Sequence, residues 1–384
     1  MVYDFDAVTD RSGTNAYKWA IKAGELPMWV ADMDFPTAPV VRAAIERRAA
    51  HGVFGYSVIP TAWNAAIVDW WQQRHAVTFA PESVIFCTGV VPAISSMIRK
   101  LTTPAEKVLV QTPVYNIFFN SIRNNGRFPV ENPLKRTADG YEVDWTDLEQ
   151  KLSDPQVTLM LLCNPQNPGG IIWGREDLAR IGALCARYHV TVISDEIHCD
   201  LTDPGYDYVP FASASDICRA ISITCVAPSK AFNIAGLQGA AVIAADEALR
   251  HKVWRGLNTD ECAEPNAFAI QAAIAAFTAG GEWLDALRTY IAANKALVRS
   301  YLQRELTEIT MVDGHATYLC WLDCRKISHD DQQLAADIRQ KTGLFLSSGS
   351  QYGAAGQGYL RMNVACPRCM VEDGLNRLRQ AVRP

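Results

Sequence analysis

Ala220-Ile221-Ser222-Ile223-Thr224-Cys225-Val226, then Ala227-Pro228-Ser229-Lys230-Ala231-Phe232-Asn233, then Gly236-Leu237-Gln238-Gly239-Ala240-Ala241-Val242-Ile243 is the stretch on which the fold turns. Both flanking runs are short and apolar, which predicts two buried strands of a core sheet. Lys230 then stands on the loop where those strands end. A lysine there either carries its ammonium out to water or is used, because its flexible stem and easily lowered pKa suit Schiff-base chemistry. A solvated loop lysine is the ordinary outcome. The rest of the chain has to decide otherwise.

Outward from this stretch the same rhythm recurs. Residues 84–87, 107–111, 157–163 and 190–194 are apolar runs, and helical patterns follow over 92–101, 114–125 and 175–188. Strands alternating with helices predict an α/β fold with a mostly parallel sheet covered on both faces. Further helices are expected over 39–50 and 61–75. From 263 to 307 the pattern turns to long helices, and residues 281–306 are long enough to bridge two units. Strands over 318–323, 344–346 and 359–364, with helices near 331–341 and 370–382, predict a smaller α+β domain. The expected division is 51–284 for the large domain and 1–50 with 285–384 for the small one.

Length agrees, since 384 residues exceed what one hydrophobic core usually serves. With 49% hydrophobic and 20% charged residues the chain is not a disordered one. A net charge of -5 and the lack of a basic run argue against a nucleic-acid partner. Met1-Val2-Tyr3-Asp4-Phe5-Asp6 carries acids where a signal peptide has a basic region, and no apolar run reaches the roughly 18 residues of a membrane span. A soluble, cytoplasmic protein with no membrane partner is expected. Eleven cysteines lie at irregular positions, mostly in apolar runs, and read as small core residues. Cys366-Pro367-Arg368-Cys369 has no second pair and no accompanying histidines, so no metal is expected.

In an open α/β sheet, ligands bind beyond the carboxyl ends of the strands. There stand Gly89-Val90-Val91, Tyr115, Asn164, Asn167, Asp195, His198, Ser229 and Lys230. Gly89 opens a helix whose free N–H groups suit a phosphate, and Ser229 adds a hydroxyl. Asp195 is a carboxylate just past a buried strand, where a cation such as a protonated pyridine nitrogen would justify its burial. His198 could reach the same ring's phenolic oxygen, and Tyr115 could stack on the ring. With Lys230 forming the imine, the set describes a pyridoxal-phosphate site.

The order and spacing of Asn164-Pro165-Gln166-Asn167-Pro168-Gly169-Gly170, Ser194-Asp195-Glu196-Ile197-His198, Ser229-Lys230 and Arg361 resemble the class I/II, fold-type I aminotransferases over almost the whole chain. Ala31-Asp32-Met33-Asp34-Phe35, His51-Gly52-Val53-Phe54-Gly55-Tyr56, Ser229-Lys230 with Phe232-Asn233-Ile234, and Cys366-Pro367-Arg368 are most similar to the cystathionine β-lyase-like C–S lyase branch. The resemblance implies a seven-stranded, mostly parallel sheet in the large domain and pyridoxal 5'-phosphate as cofactor. It implies Lys230 as the catalytic Schiff-base residue, and Gly89, Val90, Val91, Tyr115, Asn167, Asp195, His198 and Ser229 around the cofactor. Tyr56 would reach the phosphate from a second copy, making a homodimer with a shared active site. Arg361 would grip the α-carboxylate of a small amino-acid substrate with a sulfur leaving group, with Asp32, Asn167 and Tyr115 beside it. Two departures stand out: Gln238 and Ala227 occupy places where many aminotransferases carry a phosphate-binding arginine and a hydroxyl. A β-lyase producing pyruvate, ammonia and a thiol is the first reading. An aminotransferase on the same scaffold is the second, and a regulator acting by protein contact, a role one member of the branch has, is the third.

Overall fold

The apolar runs on either side of Lys230 join those upstream in a single sheet. A computed structural model describes residues 3–138 and 140–383. β1 (Val84–Cys87), β2 (Lys107–Thr112), β3 (Phe128–Pro133), β4 (Val157–Cys163), β5 (Thr191–Asp195), β6 (Ser222–Val226) and β7 (Ala240–Ile243) lie in the order β1-β7-β6-β5-β4-β2-β3. Neighbours from β6 across to β3 are parallel, and β7 runs antiparallel to β1 and β6. β4, β5 and β6 are buried at nearly every position. Covered on both faces, they need apolar side chains pointing both ways, hence unbroken apolar runs in place of alternation.

β3 went unread in the sequence because Pro129, Glu131, Asn132 and Pro133 spoil a strand pattern. It stands at the sheet edge, where a proline on the outer side forfeits no ladder bond. Helices α1 (Pro39–Ala50), α2 (Thr61–His75), α3 (Val90–Leu101), α4 (Arg175–Arg187), α5 (Glu247–Thr259), α6 (Ala269–Ala279) and α7 (Gly281–Glu305) accompany the sheet. α3 packs on α5, and α1 and α2 pack on α6. Trp63, Trp70 and Trp71 of α2 are buried, and the Trp70 indole N–H keeps a partner in both oxygens of Asp200, at 3.0 and 3.1 Å. Val41 of α1 shares a core with Trp63, Ala273 and Ala276.

The second sheet is antiparallel, with β8 (Thr310–Met311), β9 (Leu319–Asp323), β10 (Ser347–Ser348) and β11 (Tyr359–Asn363) in the order β8-β9-β11-β10. α8 (Asp331–Thr342) and α9 (Arg368–Val382) pack on each other beside it. The run expected as a strand over 344–346 is a strand at Leu344–Phe345, and β10 follows it as a separate strand. Leu344–Phe345 pairs in parallel with Leu26–Pro27, while β10 pairs with β11. α7 bridges as expected: Leu284, Leu287 and Ile291 enter the core of the α1–α2–α6 side, and Val298 and Leu302 enter the core beneath the smaller sheet. No helix among the described residues is long and apolar enough to cross a membrane.

Candidate active site

Register brings the chemistry together. Cys163 lies opposite Asp195, and Asp195 opposite Cys225, so β4, β5 and β6 finish level. β7 starts at that same end, with Ala240 opposite Cys87, the last residue of β1. A cavity of about 240 Å³ opens beyond these ends, and Gly89, Val90, Val91, Tyr115, Asn167, Asp195, His198, Ser229 and Lys230 all line it.

Several polar groups around this cavity lack a counterpart. Asp195 is buried and accepts one backbone hydrogen bond, from the Ile197 N–H at 3.2 Å. Burial pushes its carboxyl up to about 6, against the pull of that N–H and of Lys230. Lys230 donates from Nζ to the Ala31 carbonyl at 2.7 Å. Burial, and next the Arg361 charge, bring its amine down to about 8. His198 is held near 3 by burial and by Lys230 and Arg361, so it is neutral, and its Nδ1 is buried without a partner. Arg361 is 5% exposed. It donates from Nη1 to Asn167 Oδ1 at 3.2 Å and from Nη2 to the Trp29 carbonyl at 2.8 Å, sits over the Tyr352 ring, and leaves Nε unpaired. Among the described residues no carboxylate pairs with it. A guanidinium buried without a counter-ion is a binding site for a carboxylate.

The N-terminus of α3 completes the lining. Gly89 precedes it with no side-chain cap, so the first N–H groups of a 12-residue helix have no intrahelical partner and carry the positive end of its dipole. A Cβ at Gly89 would come within 3.2 Å of Pro92 Cδ, which keeps this approach bare. The donors suit a phosphate, the lone acid a pyridinium nitrogen, the neutral histidine a phenolic oxygen and the lysine a carbonyl carbon. The set fits pyridoxal phosphate.

An irregular strap, residues 29–35, brings Ala31 into the cavity lining, and nearly every carbonyl in it is held by a side chain. Trp29 O accepts from Arg361 and Ser347, Val30 O and Asp32 O from Asn363, and Ala31 O from Lys230 and Tyr318. Asn233 grips Met33 at both its N–H and its carbonyl and reaches Phe35 O. Its φ of 53° is one that asparagine tolerates better than most residues. The sequence reading missed Tyr318 and Asn363, although Asn233 stood within the quoted motif. What could have revealed the first two is their place on or beside β11, the strand that carries Arg361, and β9, its neighbour.

Three expected residues lie outside the cavity lining. Asp32 does not line the cavity: Arg11 takes its carboxylate with two bonds, at 3.0 and 3.3 Å. Its carboxylate already has a cation, and the residue of the strap that lines the cavity is Ala31. Asn164 turns away to donate to Val209 O. Tyr56 projects from the protomer fully exposed, away from this cavity. Gln238, standing where an arginine is common, does line it.

Comparison with known proteins agrees with this geometry. The chain is 43% identical to cystathionine beta-lyase PatB of Bacillus subtilis (strain 168), over 99% of this chain and all of PatB. Its fold superposes on the pyridoxal 5'-phosphate-containing cystalysin of Treponema denticola with a TM-score of 0.96 at 28% identity, covering 100% and 99% of the two chains. The PLP-bound C-S lyase of Staphylococcus hominis gives 0.92 at 32% identity, again over 100% and 99%. Residues 26–378 match the family Aminotransferase class I and II, and the chain belongs to that family.

Proposed function

We propose that the protein is a pyridoxal-phosphate-dependent carbon–sulfur β-lyase, converting an S-substituted cysteine or cystathionine and water into a thiol, pyruvate and ammonium. The observation that carries this is a cavity at the strand ends lined by Lys230 and Asp195, neither of them in an ion pair among the described residues, beside the buried guanidinium of Arg361, in a chain 43% identical to a cystathionine beta-lyase. Pyridoxal phosphate, when bound, supplies a carbonyl for amines and a ring that accepts the electron pair left at Cα.

The chain's own residues do the rest. Arg361 takes the substrate α-carboxylate through its guanidinium fork and, braced by Asn167 and Trp29 O, fixes which Cα bond faces Lys230. Lys230 Nζ, brought down to about 8, is partly neutral near physiological pH and takes the Cα proton. The Ala31 carbonyl, itself held by Tyr318 at 2.9 Å, gives that amine a fixed direction. Asp195 would hold a proton on the ring nitrogen, and neutral His198 would add a hydrogen bond without adding charge. The α3 N-terminus, with Ser229 and Gln238 of the cavity lining, would hold the phosphate.

Two features extend the reading. Val53, Phe54, Tyr56 and Val58 are 64%, 54%, 103% and 82% exposed, an apolar loop that a second copy would cover while Tyr56 reaches the partner's phosphate. All eleven cysteines are free thiols, which favours a reducing compartment, the cytoplasm. The test is pyruvate release from S-methyl-L-cysteine and L-cystathionine with no 2-oxo acid added. Release supports the lyase; turnover that requires a 2-oxo acid acceptor makes the protein an aminotransferase.

A further inference from the structure

Thr317 holds a backbone conformation that its side chain resists. Its φ is 63°, in the left-handed region, which a β-branched residue enters only where its surroundings enforce it. Three hydrogen bonds fix the turn. The Ala316 N–H reaches Gly170 O at 3.0 Å and the Thr317 N–H reaches Leu201 O at 2.7 Å, while Thr317 Oγ1 accepts from the Leu319 N–H at 3.1 Å. Gly170, at a φ of 70°, lies so close that a Cβ on it would stand 2.7 Å from Ala316 O. The segments that follow β4 and β5 therefore clamp the start of β9. A strained residue held by long-range bonds marks a place where backbone direction matters.

The residue that this turn aims is Tyr318. It is fully buried, behind the cavity wall and not in its lining. Its ring meets His198 edge to face at 6.1 Å, and its hydroxyl donates to Ala31 O at 2.9 Å. Burial, and next the Asp32 carboxylate, push the phenol up, so it keeps its proton and stays a donor. Lys230 Nζ donates to the same oxygen at 2.7 Å. A carbonyl oxygen has two lone pairs. Here Tyr318 takes one and Lys230 the other.

We propose that Tyr318 is a positioning residue for Lys230, acting through the Ala31 carbonyl that the two side chains share. The inference rests on the lyase reading above, in which Lys230 takes the Cα proton. An amine with one N–H committed to a fixed oxygen has its lone pair confined to a narrow range of directions, which removal of a proton from one face of Cα requires. The shared oxygen also governs how firmly the amine holds a proton. An acceptor favours the ammonium over the amine, and an oxygen that already receives a phenol favours it less. With the phenol gone, Ala31 O turns wholly to Lys230, and Lys230 keeps its proton to higher pH. Arg361, Asp32, Asp195 and neutral His198 also face the amine; removal of the Tyr318 hydroxyl leaves all four in place.

The test is Tyr318→Phe, which keeps the ring and leaves no buried polar atom unpaired, since Ala31 O retains Lys230. Competitive acetylation of the cofactor-free protein across pH, read by mass spectrometry at the Lys230 peptide, titrates the amine without any turnover. The variant is expected to titrate roughly 0.5–1 unit above the parent, the worth of one modest hydrogen bond. In the holoenzyme the acid limb of kcat for pyruvate release from S-methyl-L-cysteine moves up with it, and kcat falls about tenfold while KM holds. Tyr301→Phe is the control. That hydroxyl bonds Asn376 Oδ1 at 2.9 Å in the core beneath the smaller sheet, and Lys230 titrates there as in the parent. A Tyr318→Phe curve that superposes on the parent's, or an equal shift in Tyr301→Phe, overturns the proposal. If the unmodified holoenzyme releases no pyruvate, the lyase reading fails on its own, and the acetylation curves still judge Tyr318.

Discussion

Two regions of this molecule bury charge side by side, with opposite results. In the strap, Asp34 is 2% exposed and receives Lys18 at 2.6 Å, Arg11 at 2.9 Å and the Trp19 indole at 2.8 Å, and Arg11 also takes Asp32. Every strong group there has its partner within the chain. Across the cavity, Lys230 has a carbonyl, Asp195 one backbone N–H and Arg361 an amide and a carbonyl. A buried charge costs several kcal/mol unless matched, so the first region is structural and the second is built to be completed by a cofactor and substrate. The contrast extends to adjacent residues. Next to Asp195, Glu196 accepts from Ser194, Tyr208 and the Phe211 N–H and faces away from the cavity.

Substitutions can break this contrast in either direction. Lys230→Ala removes the base and is expected to lower pyruvate release by about 10⁴-fold without lowering the melting temperature, since no carboxylate loses a partner. Lys18→Met does the reverse, leaving Asp34 short of a cation; a urea titration should show a loss of about 3–5 kcal/mol. Stability equal to that of the parent would erase the distinction between the regions. Asp195→Asn is expected to reduce kcat by about 10²–10³-fold while the cofactor-free protein melts no lower than the parent.

The smallest effect is on pH dependence. Burial raises Asp195 from 3.8 to about 6 and Glu196 from 4.5 to about 7. The native state thus keeps protons that the unfolded chain has released. Their contribution is fully present below the unfolded values and is lost as pH rises through the folded ones. The cofactor-free protein should lose stability between roughly pH 4 and 7, and Asp195→Asn should flatten part of that slope. An unchanged slope would mean that Asp195 already has its partner inside the chain.

How far the sequence could be read follows from where each residue sits. Lys230, Asp195, Asn167 and Gly89 stand just past apolar strands, and strand ends are visible from local pattern. Helices such as α2 and α7 announced themselves by length and punctuation. The strap did not: residues 29–35 form no regular element beyond the two-residue ladder before them, and their contacts to Asn233, Tyr318 and Asn363 lie about 200 to 330 positions away. The pairing of Asp32 with Arg11 was hidden for the same reason, because Arg11 lies in a stretch without periodicity.

Lys230 donates to a carbonyl where the buried Lys18 and Lys295 each meet a carboxylate, and on this reading Lys230 is the lysine that holds the cofactor. Treating the pyridoxal-phosphate-loaded protein with borohydride and mapping the labelled peptide by mass spectrometry tests it directly. The label is expected on Lys230. Label on Lys18 or Lys295, or a fully active protein with Lys230 unlabelled, would contradict it.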